Sequence, residues 1–216
     1  MTKLKFCGLR RPEDAAHAAS LGATYGGVIL TESPRRVTSR QARELFDAAS
    51  TLRRVGVFSR ESVGRILKIA IETGLDVIQL HGQFSPDEHA QVRQEFDGEI
   101  WSVIAMNAET GTPTIDWKSV ADFADALLLD TGSAGRSGGT GKAFDWKKAA
   151  PLVREISREI PIVLAGGLNP ENVSRAVRIL RPSVVDVSSG VEVSPGVKSP
   201  DLMTAFARTV VSASIV

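Results

Sequence analysis

The stretch PIVLAGGLNPENVSRAVRILRPSVVDVSSG, residues 161–190, contains one complete unit of the fold. A short run of Ile, Val and Leu leads through two glycines into a segment whose apolar residues have helical spacing, and a second apolar run follows. Near-continuous apolar runs are typical of parallel strands buried on both faces, and the crossover between parallel strands is usually a helix. The stretch therefore predicts a strand, a helix and a second, parallel strand.

The same alternation runs along the whole chain. Segments with helical spacing lie in most of the gaps between strands, with Pro12 and Pro170 at expected first helical positions. The gap after the fifth strand has room for only a turn or two of helix. The candidate strands are LKFC (4–7), YGGVIL (25–30), RRVGVF (53–58), DVIQL (76–80), EIWSVIAM (99–106), DALLLD (125–130), PIVLAG (161–166) and VVDVSS (184–189).

Eight strand–helix rounds in 216 residues predict an α/β protein, a single-domain (β/α)8 TIM barrel that spans residues 1–216. The alternative is an open, doubly wound sheet. The segment KFCGLRRP, residues 5–12, disfavours that sheet, because it lacks the glycine pattern that a dinucleotide site needs after the first strand. No linker, low-complexity tract or charged block indicates a second domain.

The composition excludes several classes of function. The 26 Lys and Arg residues nearly cancel the 25 Asp and Glu residues, so nothing indicates a nucleic-acid or anionic-membrane partner. The single cysteine allows no internal disulfide, disfavours a thiolate metal site and suits a reducing cytoplasm. No signal peptide is recognisable, and no run approaches the roughly 18 apolar residues of a membrane span. We therefore expect a cytoplasmic protein.

Chemistry in such barrels lies on the face where the strands end. Cys7 ends the first candidate strand, and Gln79 and His81 lie at the end of the fourth. Asp130 ends the sixth, where partial burial of its carboxyl would raise the pKa and favour an acid role, although a helix cap or salt bridge also fits. Asp186 lies in the eighth strand. We expect Gln79, His81 and Asp186 to contact a ligand, while Cys7 taken alone also fits a small buried apolar residue.

Glycine-rich loops follow the last two strands. AGGLN (165–169) precedes a helix, and DVSSGVE (186–192) ends the eighth strand with a second such loop. Loops of this kind expose backbone N–H groups, and together they form the usual phosphate site of a barrel, although glycines that only make tight turns are the alternative. With the loop GGTGK (138–142), the candidate phosphate ligands are Gly139, Gly166, Gly167, Ser188, Ser189 and Gly190.

Several segments, taken in order, resemble one known family. The resemblance is to the phosphoribosylanthranilate isomerases of tryptophan biosynthesis, and it extends from residue 3 to about residue 201. The segments that carry it include KFCGLRRPEDA (5–15), QLHG (79–82), LLLDT (127–131), GGTGKAFDW (138–146), LAGGLNPENV (164–173) and VDVSSGVE (185–192).

This resemblance implies an isomerase with a (β/α)8 barrel, no cofactor and no metal. The implied reaction is the Amadori rearrangement of N-(5′-phosphoribosyl)anthranilate to 1-(o-carboxyphenylamino)-1-deoxyribulose 5-phosphate. The motifs carry a general base onto Cys7 and a general acid onto Asp130. They place a substrate-binding arginine at Arg35, with Arg36 as the alternative. A thiol base needs a compensating influence on its pKa, and we expect the start of the helix in RPEDA (11–15) to contribute.

Three alternatives remain at this point. An indole-glycerol-phosphate synthase would need a strand-end lysine, and no lysine follows the second, third or fourth candidate strand. The sugar isomerase of histidine biosynthesis would need an aspartate where this chain has Cys7. A non-catalytic phosphosugar-binding barrel would need no acid–base pair. The partner we expect is a small phosphosugar, and we favour a monomer over a homodimer.

Overall fold

The structure, a computed structural model, describes residues 1–131 and 143–214. Within these residues no helix combines the length and the apolar content that crossing a membrane requires. The barrel strands are β1 (Lys3–Phe6), β2 (Tyr25–Ile29), β3 (Arg53–Phe58), β4 (Val77–Leu80), β5 (Glu99–Met106), β6 (Ala126–Thr131), β7 (Ile162–Leu164) and β8 (Val184–Val187). The helices are α1 (Pro12–Ser20), α2 (Ser39–Asp47), α3 (Val63–Thr73), α4 (Pro86–Glu95), α5 (Lys118–Ala121), α6 (Trp146–Ile156), α7 (Val173–Leu180) and α8 (Pro200–Ser214).

The eight strands form a closed parallel barrel in sequence order. The barrel closes where β1 pairs with β8, with Lys3 opposite Val184 and Phe6 opposite Val187. The predicted (β/α)8 barrel is therefore confirmed. That residues 1–216 make up a single domain stays a prediction.

Local sequence signals set several helix ends. Thr38 and Ser85 cap α2 and α4 with capping boxes. The side chain of each capping residue accepts the backbone N–H three residues later, and the side chain at that later position accepts the backbone N–H of the capping residue. Gly74 ends α3 in the left-handed conformation that glycine adopts at little cost. The weak helix expected after the fifth strand is α5, a single turn.

One helix start was wrong. Pro12 does begin α1, but α7 begins at Val173 rather than at Pro170. Asn169 and Asn172 explain the difference. The side-chain oxygen of Asn169 accepts the backbone N–H groups of Glu171 and Asn172, and the side-chain oxygen of Asn172 accepts the backbone N–H of Asn169. These bonds hold a turn that delays the helix by three residues. The sequence also gave no sign of the two-stranded hairpin β9 (Glu192–Ser194) and β10 (Val197–Lys198).

Strand alternation divides the buried residues into two layers. Side chains such as Phe6, Leu129 and Val185 pack between the barrel and its helices. Their strand neighbours point into the barrel and form a separate apolar layer: Tyr25, Val55, Val77, Trp101, Ala126, Leu128, Val163, Ala165 and Val184. Because side chains two apart on a strand share a face, the inward face continues toward the strand ends into polar residues. These are Lys5, Cys7, Gln79, His81, Asp130, Asp186 and Ser188.

Candidate active site

A cleft opens where the strands end, and most of the predicted site residues line it. Gly190 lines an adjoining depression with Gly167, Leu168, Asn169 and Ser189. Gly139, the remaining predicted phosphate ligand, lies outside the described residues. The predicted residues that line the cleft itself are Cys7, Arg35, Gln79, His81, Asp130, Gly166, Gly167, Asp186, Ser188 and Ser189. Thr31, Glu32, Ser33 and Ser59 also line it and were not predicted.

Asp130 is a mostly buried carboxyl at the end of β6. Burial raises its pKa, and the nearby charge of Asp186 acts in the same direction. His81 Nε2 lies 3.9 Å from Asp130 Oδ2, and burial lowers the pKa of this imidazole. A carboxyl in this environment keeps its proton to a higher pH than an exposed one, which suits a proton donor.

Cys7 directly follows β1 and lines the cleft. Its N–H donates to the carbonyl of Val187 at 2.9 Å, which continues the ladder between β1 and β8 by one residue. Burial raises the pKa of the thiol, and the charges of Lys5 and Lys198 oppose that rise. Gly27 of β2 makes room here, because a Cβ at that position would lie 2.9 Å from the Cys7 sulfur.

A buried ion pair joins β1 to β8, with Asp186 in the lining of the cleft and Lys5 outside it. Lys5 Nζ donates to Asp186 Oδ2 at 2.7 Å and to Gln79 Oε1 at 3.0 Å. The other carboxylate oxygen of Asp186 is buried and has no hydrogen-bond partner among the described residues. Lys5 was not predicted as a site residue, although the signal was present: it comes two residues before Cys7, and residues two apart along a strand face the same side.

A second charged cluster holds Arg35. Its Nε and Nη2 donate to the carboxylate of Glu192 at 2.8 to 3.1 Å, and Lys198 Nζ donates to the same carboxylate at 2.9 Å. Although burial would raise the pKa of Glu192, Arg35 and Lys198 hold it below its usual value. Nη1 of Arg35 has no acceptor among the described residues, whereas Arg36 is exposed and lies outside the cleft lining. The sequence analysis missed Glu192 and Lys198.

The two glycine-rich loops meet at one side of the cleft. Gly166 and Gly167 both have positive φ, at 84° and 65°, and Gly190 approaches the Leu168 carbonyl so closely that a Cβ would overlap it. The N–H groups of Gly167, Leu168, Ser189 and Gly190 find no acceptor in the described part of the chain. Converging unpaired N–H groups of this kind can bind an anion. Within residues 1–131 and 143–214, no cluster of three His, Cys, Asp or Glu residues is arranged to hold a metal.

Known proteins of one family are similar to this chain along almost its whole length. The sequence profile described as N-(5′-phosphoribosyl)anthranilate (PRA) isomerase matches residues 4–209. The N-(5′-phosphoribosyl)anthranilate isomerase of Caldanaerobacter subterraneus subsp. tengcongensis is 39% identical over 213 residues, which cover 97% of this chain and 98% of that protein.

Solved structures agree as well. The phosphoribosyl anthranilate isomerase of Thermotoga maritima is 30% identical, covers 98% of this chain and 100% of its own, and superposes with a TM-score of 0.84. A phosphoribosyl anthranilate isomerase solved in complex with reduced 1-(o-carboxyphenylamino)-1-deoxyribulose 5-phosphate superposes with a TM-score of 0.81 at 29% identity, covering 98% of this chain and 100% of its own.

The closed parallel barrel and the ionisable residues at its strand ends define a (β/α)8-barrel enzyme. The profile match and the full-length relatives identify the enzyme family within this class. The chain belongs to the N-(5′-phosphoribosyl)anthranilate isomerase family.

Gly166 provides a test of how tightly the site is built. We expect Gly166→Ala to lower the free energy of unfolding by about 1–3 kcal/mol, because alanine is strained at positive φ and its Cβ would lie 2.7 Å from Asp130 Oδ1. Gly64→Ala is the matched control, since Gly64 is exposed in α3 with open space around it. Urea unfolding should show the control to be unchanged or slightly stabilised. Equal midpoints for the two variants would contradict the close packing at Gly166.

Proposed function

We propose that this chain catalyses the Amadori rearrangement of N-(5′-phosphoribosyl)anthranilate to 1-(o-carboxyphenylamino)-1-deoxyribulose 5-phosphate in tryptophan biosynthesis. The observation that carries the proposal is the placement of Cys7 and Asp130 on β1 and β6 of one cleft, with the glycine-rich loops beside them. An acid and a base on well-separated strands of the barrel can act on two sides of a sugar, while an anchored phosphate fixes its position.

Asp130 is the proposed general acid. Its buried carboxyl donates a proton to the furanose ring oxygen, the bond between that oxygen and C1′ breaks, and an iminium ion forms between C1′ and the anthranilate nitrogen. The raised pKa of Asp130 supports this role, because the donor must hold its proton before the step.

Cys7 is the proposed general base. As a thiolate it removes the proton from C2′ of the iminium ion, and the electron pair of that C–H bond shifts to give an enolamine. The enolamine then tautomerises to the ketone of the product. Burial raises the pKa of the Cys7 thiol, so its deprotonation needs support from a positive charge nearby.

The remaining residues hold the two ends of the substrate. The N–H groups of the loops around Gly167 and Ser189 bind the phosphate, and Nη1 of Arg35 binds the anthranilate carboxylate or a sugar oxygen. Gln79, His81 and Asp186 line the same cleft and are the proposed contacts to the sugar. This assignment favours catalysis over a non-catalytic phosphosugar-binding barrel, because binding alone has no need for a buried acid and thiol.

We also propose a cytoplasmic monomer. The single cysteine suits a reducing compartment. Among the similar solved structures is one described as generated monomers of the dimeric enzyme from Thermotoga maritima, so a homodimer is the alternative state. Light scattering of this protein at micromolar concentration distinguishes them.

The acid and the base are tested by removing each one. We expect Cys7→Ala and Asp130→Asn each to lower turnover at least about a hundredfold, the lower scale for losing a general acid or base. Circular dichroism should show intact barrels, and binding of the product should be retained. Asp47→Asn, at an exposed position in α2, controls for the loss of a carboxylate. If both site variants fold and keep near-normal turnover, the two assignments are wrong.

The two neighbouring arginines are tested against each other. We expect Arg35→Ala to lower kcat/KM at least about tenfold, because a hydrogen-bonded charge is lost from the cleft and Glu192 loses its bidentate partner. Arg36→Ala removes the same side chain from an exposed position and should change kcat/KM less than about twofold. A larger effect at Arg36 would show that the loop presents the other arginine to substrate.

The phosphate site is tested at Gly167. We expect Gly167→Asp to weaken the binding of inorganic phosphate at least about tenfold, because a carboxylate would repel the dianion among the loop N–H groups. Gly22→Asp is the matched control: Gly22 also has positive φ, at 77°, but it is exposed with open space around it. Calorimetric titration with phosphate reports the affinity. Unchanged affinity in a folded Gly167→Asp variant would place the phosphate elsewhere.

A further inference from the structure

Lys5 is a fully buried charge that the mechanism above does not use. Its side chain has no exposure, and it does not line the cleft. The ammonium donates to Asp186 and to Gln79, which accounts for two of its three N–H groups. Because burying an ammonium is costly, a lysine at the centre of a barrel calls for a physical reason.

The chemical neighbour of Lys5 is Cys7. Lys5 is in β1 and Cys7 directly follows that strand; because the two residues are two positions apart they face the same side, and both pack against Gly27 of β2. A Cβ on Gly27 would lie 2.9 Å from the Cys7 sulfur and 3.2 Å from Lys5 Cε. The two side chains therefore lie against the same glycine, and the third N–H of the Lys5 ammonium has no acceptor among the described residues.

Cys7 needs a cation at this place. Burial raises the pKa of its thiol, which opposes formation of the thiolate that a base requires. The sequence suggested that the start of α1 would compensate. However, α1 begins only at Pro12, which has no N–H, and its first turn carries the acidic residues Glu13 and Asp14. The effect of a helix terminus falls off within one turn, so the support must come from elsewhere.

Besides Lys5, three charged side chains of the described residues act on Cys7. Asp186 faces it from β8 and raises the pKa of the thiol, while Lys198 faces it from β10 and lowers that pKa. Arg35, on the loop after β2, also interacts with Cys7. Arg35 and Lys198 share the carboxylate of Glu192, which offsets part of their charge.

Lys5 is the better source of positive charge than Lys198. Burial lowers the pKa of Lys198, and its ammonium donates to the Ser188 carbonyl and to Glu192. Burial would lower the pKa of Lys5 too, but the charges of Asp186 and Cys7 raise it above its usual value. Lys5 therefore remains an ammonium throughout the working pH range.

We propose that Lys5 is a positioning residue, held by Asp186 and Gln79, whose ammonium stabilises the thiolate of Cys7. The inference rests on the proposed function, in which Cys7 takes the C2′ proton. Lys5 keeps its own proton during that step: an ammonium–thiolate pair becomes an ammonium beside a neutral thiol, and the C2′ proton ends on sulfur. The positive charge of Lys5 therefore stabilises the thiolate until sulfur has accepted the C2′ proton.

The single cysteine makes the inference directly measurable. Iodoacetamide reacts with the thiolate, and Cys7 is the one thiol in the chain, so the alkylation rate between pH 6 and pH 10 gives the pKa of Cys7 alone. We expect Lys5→Met to raise this pKa by about one unit or more, the usual effect of removing an opposite charge at close range. An unchanged or lowered pKa in a folded variant overturns the proposal.

Two further variants separate charge from packing. Gln79→Met removes a hydrogen-bond partner of Lys5 and leaves the charge, so the pKa of Cys7 should stay within a few tenths of a unit. Lys5→Gln covers the case in which Lys5→Met fails to fold, because its amide can still donate to Asp186 while carrying no charge. It should raise the pKa as Lys5→Met does. Equal shifts in Lys5→Gln and Gln79→Met would assign the effect to packing and overturn the proposal.

Turnover gives the second measurement. We expect Lys5→Met to lower kcat about tenfold at pH 7 for each unit of pKa shift, with KM nearly unchanged because Lys5 does not line the cleft, and we expect partial recovery at higher pH. A defect of packing would not recover with pH. If Cys7→Ala retains turnover, the proposed base is wrong, whatever the alkylation shows. If Cys7→Ala is inactive but Lys5→Met leaves the pKa of Cys7 in place, only this inference fails.

Discussion

The parallel pairing of β1 with β8 is the contact on which the site depends. It closes the barrel, and its register sets Lys5 directly opposite Asp186. The same ladder continues for one residue through the bond from the Cys7 N–H to the Val187 carbonyl, so the thiol is fixed by the same backbone bonds that close the barrel. A slip of one residue in this pairing would turn Lys5 and Cys7 outward into the apolar layer beneath the helices. The register that closes the barrel therefore also positions Lys5, Cys7 and Asp186.

The barrel interior combines two environments with opposite energetic roles. Its lower layer is apolar, with Trp101 against Tyr25 at a ring separation of 4.8 Å, and it stabilises the barrel by excluding water. The layer above contains Lys5 and Asp186. Replacing such a buried ion pair by apolar residues of similar volume is often neutral or stabilising, so this pair is weak evidence for stability. Its position, between an apolar core and a cleft with a thiol, is better explained by what its charges do to neighbouring groups.

The sequence was sufficient for the fold and for about half of the arrangement in the site. Apolar runs located the strands to within a residue or two, and strand-end position picked out Cys7 and Asp130, because strand alternation is a local rule. The same rule places Lys5 on the face of the strand that Cys7 shares, but Lys5 was not predicted as a site residue. The ion pair of Arg35 with Glu192 joins residues 157 positions apart through a hairpin with no clear local pattern, so no reading of the sequence could supply it. The start of α7 was wrong because side-chain bonds between Asn169 and Asn172 outweighed the preference of proline for the first turn.

The interior ion pair acts differently on the proposed acid and on the proposed base. The base works best with a lowered pKa and the acid with a raised one, so a single charge between them would help one and harm the other. Lys5 lowers the pKa of both Cys7 and Asp130, and Asp186 raises both. At Cys7 the influence of Lys5 exceeds that of Asp186, whereas at Asp130 the influence of Asp186 exceeds that of Lys5. The net effect of the pair is therefore to lower the pKa of the thiol and to raise that of the carboxyl, which are the directions that the proposed proton transfers require. The pair adds no net charge to the barrel.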